Sequence, residues 1–442
     1  MIAAGLLFVL LSAPPDAVPA TTPLHDAAFV GDAAEVARLL DAGADATRAN
    51  RYGVTPLTLA CEAGNAATVA ALLDAGADPN AAAPGGETPL MTAARTGVVD
   101  PLAALLAAGA KVNAREAAGQ TALMWAAAAG NAAAVDRLLD AGADRDAATP
   151  GGFTALLFAV REGRAEVVAR LAAAGADVNA GATVKKRPRN GLRRDTTPLG
   201  LAVENGHFAL AAQLLEAGAD PNGRSAGVTA LHAISWVRKP LRGDGDPPPR
   251  GSGGMGSLTF VRTLIAAGAD VDARLTKTPP GHPGLNKAGA TPLILACESC
   301  DAPLMKALLK RGADDSLATD DGATPLLAAA GVGPLGSGDE PAGTEAEAVA
   351  AVTLLLDRGA DLTAVDGRRD TVMHGAAYKN RPAVVRLLTA RGADPDAWNR
   401  PNRRGETPLD IARGERPGNL RPHPPTEAAL REALDRSTAE AE

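Results

Sequence analysis

The seven residues LLDAGAD appear three times in the first third of the chain, at Leu39–Asp45, Leu72–Asp78 and Leu138–Asp144. A glycine followed by Ala and then Asp or Lys recurs ten times, at Gly43, Gly76, Gly109, Gly142, Gly175, Gly218, Gly268, Gly312, Gly359 and Gly392. The first four intervals between these glycines are 33 residues each, and so is the last. A catalytic motif occurs once, whereas a phrase at a constant interval indicates a repeating structural unit.

A second phrase accompanies the first about twelve residues later. It begins with a threonine, followed by proline in seven of eleven cases, at Thr22, Thr55, Thr88, Thr121, Thr154, Thr197, Thr229, Thr291, Thr324, Thr371 and Thr407. Thr is a good helix N-cap and Pro suits the first helical position. The second unit therefore predicts a helix over Pro56–Ala63 that Gly64 ends. A second apolar helix follows, ended by a left-handed glycine.

The period and the phrases TPLHDAA (Thr22–Ala28) and TALHA (Thr229–Ala233) resemble the ankyrin repeat. The resemblance extends from Thr22 nearly to the end of the chain. It implies an all-α solenoid of about eleven helix-turn-helix repeats joined by finger loops, over residues 21–442. One helix pair cannot bury its apolar side alone, so neighbouring pairs stack. The last unit, residues 407–442, is degenerate and ends in a charged helix, as a terminal cap should.

Four insertions interrupt the repeats, at residues 181–195, 237–257, 274–289 and 331–343. Their proline and glycine content predicts loops and no additional domain. After the fourth insertion, Thr344 and Glu347 predict a capping box for the next helix. The insertions are either neutral decoration or part of a binding surface, and the sequence leaves both open.

The N-terminal residues 1–20, MIAAGLLFVLLSAPPDAVPA, are predicted to be a cleavable signal peptide. The apolar run Ile2–Leu11 is too short to span a bilayer, and Val18-Pro19-Ala20 resembles a cleavage site. No Lys or Arg precedes the run. We expect a periplasmic or secreted protein without stable membrane insertion after cleavage, or a cytoplasmic one if the signal is not real. Abundant Ala and an excess of Arg over Lys are typical of a GC-rich bacterial genome.

Composition and motifs favour a protein without catalytic function. The net charge of −7 argues against nucleic-acid binding. Cys297-Glu298-Ser299-Cys300 has redox-like spacing, but it lies at a helix end where the dipole raises a thiol pKa, so buried packing is favoured, as for Cys61. The resemblance implies structural hydrogen bonds for His25, His232 and His374. No cofactor, metal or small-molecule substrate is expected.

In ankyrin-type proteins the first helices and finger loops line a concave surface that binds proteins. We therefore assign partner binding to residues on first helices and fingertips: Tyr52, Leu59, Arg95, Trp125, Phe153, Phe158, Arg161 and Leu201. Aromatic and arginine anchors dominate interface energetics. The alternative is that the rings fold inward as core among small alanines.

The function predicted from these features is a non-enzymatic protein–protein interaction module with a partner of unknown identity. The alternative is a regulatory or inhibitory subunit of a cell-envelope enzyme. An enzyme with its site in the insertions is disfavoured, because those loops lack a nucleophile with a partner base.

Overall fold

The computed structural model describes residues 21–182, 195–239, 249, 251–276, 285–333, 343–415 and 422–441. The predicted signal segment, residues 1–20, lies outside these ranges, as do most of the insertion 181–195 and parts of the other three. Contacts divide the chain into two compact units. Unit 1 contains described residues 21–177, and unit 2 contains the described residues from 178 onward.

Unit 1 consists of five pairs of short helices. In chain order they are α1 Pro23–Val30, α2 Ala33–Asp41, α3 Pro56–Ala63, α4 Ala66–Asp74, α5 Pro89–Thr96, α6 Val99–Ala107, α7 Ala122–Ala129, α8 Ala132–Asp140, α9 Ala155–Arg161 and α10 Ala165–Ala173. The first helices pack on one another in the order α1, α3, α5, α7, α9, and the second helices pack in the order α2, α4, α6, α8, α10. This is the stacking that the repeat pattern predicts.

Unit 2 continues the scheme with six pairs and some additions. Its helices are α11 Pro198–Glu204, α12 Phe208–Glu216, α13 Ala230–Arg238, α14 Ser257–Ala266, α15 Pro292–Glu298, α16 Ala302–Leu309, α17 Pro325–Ala330, α18 Glu345–Leu356, α19 Val372–Tyr378, α20 Pro382–Ala390, α21 Pro395–Trp398, α22 Pro408–Ala412 and α23 Pro424–Ala441. A two-residue antiparallel hairpin precedes α13, with β1 Arg224–Ser225 paired to β2 Val228–Thr229. The predicted all-α repeat fold is confirmed.

The two recurring phrases have the structural roles that the sequence predicts. The threonine is the N-cap of the first helix in every pair; at Thr121 its Oγ1 accepts a hydrogen bond from the backbone N–H of Met124 at 3.4 Å. The glycine after each second helix has φ between 82° and 97°, in the left-handed region. Gly64 ends α3 in the same conformation, and Thr344 with Glu347 forms the expected capping box on α18.

Asparagine side chains connect the turns of successive repeats. In unit 1, Asn80 Nδ2 donates to the carbonyl of Gly109 (3.2 Å), and Asn80 Oδ1 accepts from the N–H of Lys111 (2.8 Å). Asn113 makes the same two bonds one repeat later, and Asn179 and Asn222 make them in unit 2. These bonds satisfy carbonyls that the helix ends leave without intrahelical partners.

The final repeat contains the charged terminal helix predicted from the sequence. Helix α23 packs against α20 and α22, and its own residue Leu430 is fully buried. Across the described ranges, no helix combines the length and apolarity needed to cross a bilayer.

Candidate protein-binding surface

Seven of the eight predicted binding residues lie in unit 1. Leu59, Trp125 and Phe158 each lie four residues after an N-cap threonine, on α3, α7 and α9. Arg95 and Arg161 lie three residues further along their helices. Equal repeat positions on stacked first helices share one side of the unit. We call the set Arg95, Trp125, Phe153, Phe158 and Arg161 the aromatic face.

The strongest cluster on the aromatic face joins Phe153, Phe158 and Arg161. The two ring centroids are 4.9 Å apart at an interplanar angle of 31°. The Arg161 guanidinium carbon lies 4.8 Å from the Phe153 centroid and 5.0 Å from that of Phe158. The rings are 9% and 6% exposed, so they pack against each other and under the arginine. The guanidinium is therefore held in place with part of its surface open to solvent.

The second cluster joins residues of three successive first helices. Arg95 on α5 forms an ion pair with Glu62 on α3, and its guanidinium carbon lies 5.9 Å from the Trp125 ring centroid on α7. Trp125 is half-buried, and its Nε1 is a buried donor with no acceptor among the described residues. A tryptophan with an unsatisfied donor is a poor core residue, because burying an unpaired N–H is unfavourable.

The sequence did not identify the acidic neighbour of these clusters. Glu87 precedes the N-cap of α5, and its Oε1 accepts a hydrogen bond from Thr92 Oγ1 at 3.2 Å. Partial burial raises the pKa of Glu87, whereas the Thr92 bond and the charge of Arg95 act in the opposite direction. The guanidinium groups of the aromatic face therefore lie near a partly buried carboxyl group.

Two further exposed apolar side chains occur at the start of unit 1. Phe29 is 56% and Val30 76% exposed at the end of α1. Phe29 occupies the repeat position of Glu62, Arg95 and Arg161, which is the sequence signal that places it on the same side. Phe29 therefore extends the candidate surface beyond the predicted set.

The remaining predicted residues differ in exposure. Tyr52 lies in the finger loop before α3, half-buried, with the Arg51 guanidinium carbon 4.8 Å from its ring centroid. Leu59 is half-buried. Leu201 belongs to unit 2 and is almost completely buried on α11. For Leu201 and the two phenylalanines, the burial matches the inward packing that the sequence left open as the alternative.

All three cysteines are buried thiols. Cys61, Cys297 and Cys300 are buried and free, which confirms the packing interpretation. Burial raises the pKa of Cys61 to about 12 and raises the pKa of Cys297 and Cys300 as well. A thiol must ionise to act as a nucleophile or metal ligand.

The repeat histidines make the bonds that the resemblance implies. Each Nδ1 lies 2.7–2.9 Å from its N-cap threonine hydroxyl, and each Nε2–H donates to a carbonyl in the next finger loop, at Val54, Ala290 and Glu406 respectively for His25, His232 and His374. Burial lowers the pKa of His232 and His374 to about 4. In the described part of the chain, no three His, Cys, Asp or Glu side chains are grouped to hold a metal ion.

Comparison with known proteins agrees with the repeat geometry. A model of three ankyrin repeats matches residues 4–83, 24–116 and 90–182, and a single-repeat model matches 194–226, 288–320 and 368–400. Together these matches cover well over half of the chain, and the first begins inside the predicted signal segment.

Curated relatives match part of the chain. It is 33% identical over 242 residues to ankyrin repeat and SOCS box protein 16 of Mus musculus, and 37% identical to the Homo sapiens protein of that name; each alignment covers 50% of this chain and 48% of the relative. It is 39% identical over 139 residues to ankyrin repeat, SAM and basic leucine zipper domain-containing protein 1 of Dasypus novemcinctus, covering 31% of this chain and 25% of that protein. The chain thus spans about half the length, or less, of these relatives.

Proposed function

The chain belongs to the ankyrin-repeat family, and on that premise we propose that unit 1 binds a partner protein through the aromatic face and the adjoining fingertip Tyr52. Ankyrin repeats form modules that bind other proteins and generally have no catalytic activity. The observation that carries the proposal is the support of Arg95 and Arg161 by aromatic rings at 4.8–5.9 Å. Arginine and aromatic side chains are enriched among the residues that dominate binding energy.

An arginine that already stacks on an aromatic ring is well suited to bind a partner protein. A free arginine loses side-chain entropy when a partner immobilises it, whereas a guanidinium already stacked on a ring loses less. The unpaired Trp125 Nε1 adds a donor that a small side-chain movement would offer to a partner's carbonyl. In this proposal Phe153 and Phe158 act by positioning Arg161, and Leu201 is a core residue.

The test is affinity capture with matched variants of the full chain. Arg95→Ala with Arg161→Ala removes both supported arginines, and Arg170→Ala removes an exposed arginine from the second helix of the fifth repeat. We expect the double variant to lose captured partners that wild type and Arg170→Ala retain. Equal capture by all three would contradict the proposal. A captured enzyme whose turnover changes on binding would favour the alternative, a regulatory or inhibitory subunit.

Export of the mature chain is a separate proposal supported by residues 1–20 alone. The test is N-terminal sequencing of protein purified by a C-terminal tag. We expect an N-terminus after Ala20, and retention of Met1 would contradict it.

A further inference from the structure

Two successive finger loops near the end of unit 2 terminate in carboxylic acids. The residue before the N-cap threonine is Asp370 for α19 and Glu406 for α22. In other repeats this position is held by Thr21, Val54, Glu87, Gln120, Phe153, Thr196, Val228, Ala290 and Ala323. The last two finger loops thus have an acidic residue at this position, whereas all but one of the other repeats have an uncharged residue there.

These carboxyls are buried together with two neutral polar side chains. Asp370 Oδ1 accepts hydrogen bonds from Asn402 Nδ2 at 2.8 Å and from the Tyr378 hydroxyl at 3.2 Å. Glu406 Oε2 lies 3.4 Å from each of the same two donors. Asp370 is 0% exposed and Glu406 5%. We call Asp370, Tyr378, Asn402 and Glu406 the carboxyl cluster.

The cluster has too few donors for two ionised acids. The phenol offers one proton and the amide two, shared among the carboxyl oxygens and the phenol itself. Asp370 Oδ2 and Glu406 Oε1 are buried and accept no hydrogen bond from any described residue. Burying two charges with incomplete hydrogen bonding is strongly unfavourable. One bound proton removes one of the charges and adds a donor.

The charged groups that surround the carboxyl cluster do not donate a hydrogen bond to its two unpaired oxygens. The titratable or charged groups around the cluster are Asp366, Arg368, His374, Arg404 and Asp410, together with Asp321 beyond Asp366. Burial raises the pKa of Asp370, and the hydrogen bonds from Asn402 and Tyr378 oppose this. Burial also raises the pKa of Asp366 to about 6, in the same loop. The charge of Arg368 opposes the rise in the pKa of Asp370, and the charge of Arg404 opposes the rise in the pKa of Tyr378, but neither arginine forms an ion pair with Asp370 or Glu406.

We propose that the carboxyl cluster binds one proton in the folded chain, chiefly at Asp370, and that the contact between these two finger loops weakens when that proton leaves. The cluster is then a pH-sensitive latch on the last two repeats. Finger loops are the elements whose positions such a latch would control. The proposal is independent of any partner.

Proton linkage gives the direction in which pH changes the stability of the folded chain. An acid with a raised pKa binds its proton more tightly in the folded state, so its stabilisation is full below the ordinary pKa and is lost as pH rises through the raised one. His374 acts oppositely, because its lowered pKa stabilises the folded chain above its ordinary value and is unfavourable at lower pH. The wild-type profile therefore contains both effects, and variants are needed to separate them.

The experiment uses the full chain with Trp125→Phe and Trp236→Phe, which leaves Trp398 as its single tryptophan. Trp398 is buried on α21, and its carbonyl lies 3.5 Å from Thr371 Oγ1, next to Asp370. Urea midpoints are followed by Trp398 emission from about pH 5 to about pH 8. The variants are Asp370→Asn and Glu406→Gln, and the control is Asp396→Asn, an exposed carboxyl on α21.

We expect the wild-type midpoint to fall, relative to those of Asp370→Asn and Glu406→Gln, as pH rises from about 5 to about 8, and to stay parallel to that of Asp396→Asn. If Asp370→Asn fails to fold, Glu406→Gln decides, because it removes the second carboxyl of the cluster and leaves Asp370 in place. A direct readout is the infrared carbonyl band of a protonated acid, present in wild type minus Asp370→Asn and absent in wild type minus Asp396→Asn. Parallel pH profiles for all variants, or no such band, would overturn the proposal.

Discussion

The two units of this chain bury different kinds of side chain. In the described part of unit 1, no Asp, Glu, Lys or Arg is buried; its buried polar residues are His25 and threonines. The described part of unit 2 buries six acidic or basic residues, which are Lys287, Asp301, Asp366, Asp370, Arg381 and Glu406. Unit 1 also has the constant 33-residue spacing, whereas three of the four insertions, at residues 237–257, 274–289 and 331–343, belong to unit 2.

The contrast is sharpest at the N-cap of the second helices. In unit 1, Asn65 Nδ2 donates to the carbonyl of Gly31 at 2.8 Å, a neutral link to the preceding repeat. In unit 2 the same position holds Asp301, which receives two bonds from the Arg238 guanidinium at 2.6 and 3.1 Å. At this position the regular repeat is joined to its neighbour by a neutral bond, and the interrupted one by a mostly buried ion pair. Buried ion pairs add little net stability, so we expect them to fix which repeats pair.

The largest predicted effect tests that contrast directly. Asp301→Ala leaves the mostly buried Arg238 without its carboxylate and removes a cap from α16, so we expect a loss of about 3–5 kcal/mol in the stability of unit 2. Asn65→Ala should lose only about 1 kcal/mol in unit 1. Urea unfolding measures the two losses, followed by the fluorescence of Trp236 for unit 2 and of Trp125 for unit 1. Equal losses would remove the distinction between the units.

A second prediction concerns the aromatic face. Phe158→Ala should lower the stability of unit 1 by about 3 kcal/mol, because the ring is buried against Phe153. Arg161→Ala should lose less than about 1 kcal/mol, the usual range for an exposed cation–π contact. Thermal and urea unfolding compare the two. An unchanged melting temperature for Phe158→Ala would instead make the ring a surface anchor.

The third prediction is a pH effect of opposite sign to that of the carboxyl cluster. Burial lowers the pKa of His232 to about 4, so its contribution is full above about pH 6.5 and is lost as pH falls through about 4. By about pH 5 we expect unit 2 to lose about 2 kcal/mol through this ring. His232→Asn should show a correspondingly shallower acid response in urea midpoints. Identical slopes for wild type and variant would contradict the assignment.

The smallest effect is expected at the exposed pair of unit 1. Glu62→Gln removes the ion-pair partner of Arg95, and the stability change should stay below about 1 kcal/mol and shrink with added salt. The midpoint at low and high ionic strength measures it. A loss as large as that of Asp301→Ala would show that exposure does not separate the two kinds of pair.

The fold could be predicted from the sequence because its signals are local. Threonine caps, prolines and left-handed glycines act within a few residues, and α3 has the predicted bounds Pro56–Ala63. The same spacing predicts which side chains share a face. It does not predict burial, since Phe158 is covered by Phe153 from the preceding loop and by Arg161 from the next turn.

Two ion pairs of unit 2 could not be predicted because their partners are distant in sequence. Arg238 and the buried Asp301 are 63 residues apart, and the partly exposed Lys239 reaches Glu347 across 108 residues. The sequence nevertheless contained a signal for two of the buried acidic residues. Asp370 and Glu406 occupy a repeat position where most other repeats have an uncharged side chain.

The glycines after the second helices have a practical consequence. At nine of the ten, a Cβ would meet no atom within 4 Å, so glycine is required there by its positive φ alone. Alanine at such a position should lose about 1 kcal/mol, because L-residues disfavour that conformation. The chain thus contains nine interchangeable places for single-residue edits. Adding these substitutions one after another would give a graded series of less stable proteins, each with its buried core and its aromatic face unchanged in sequence.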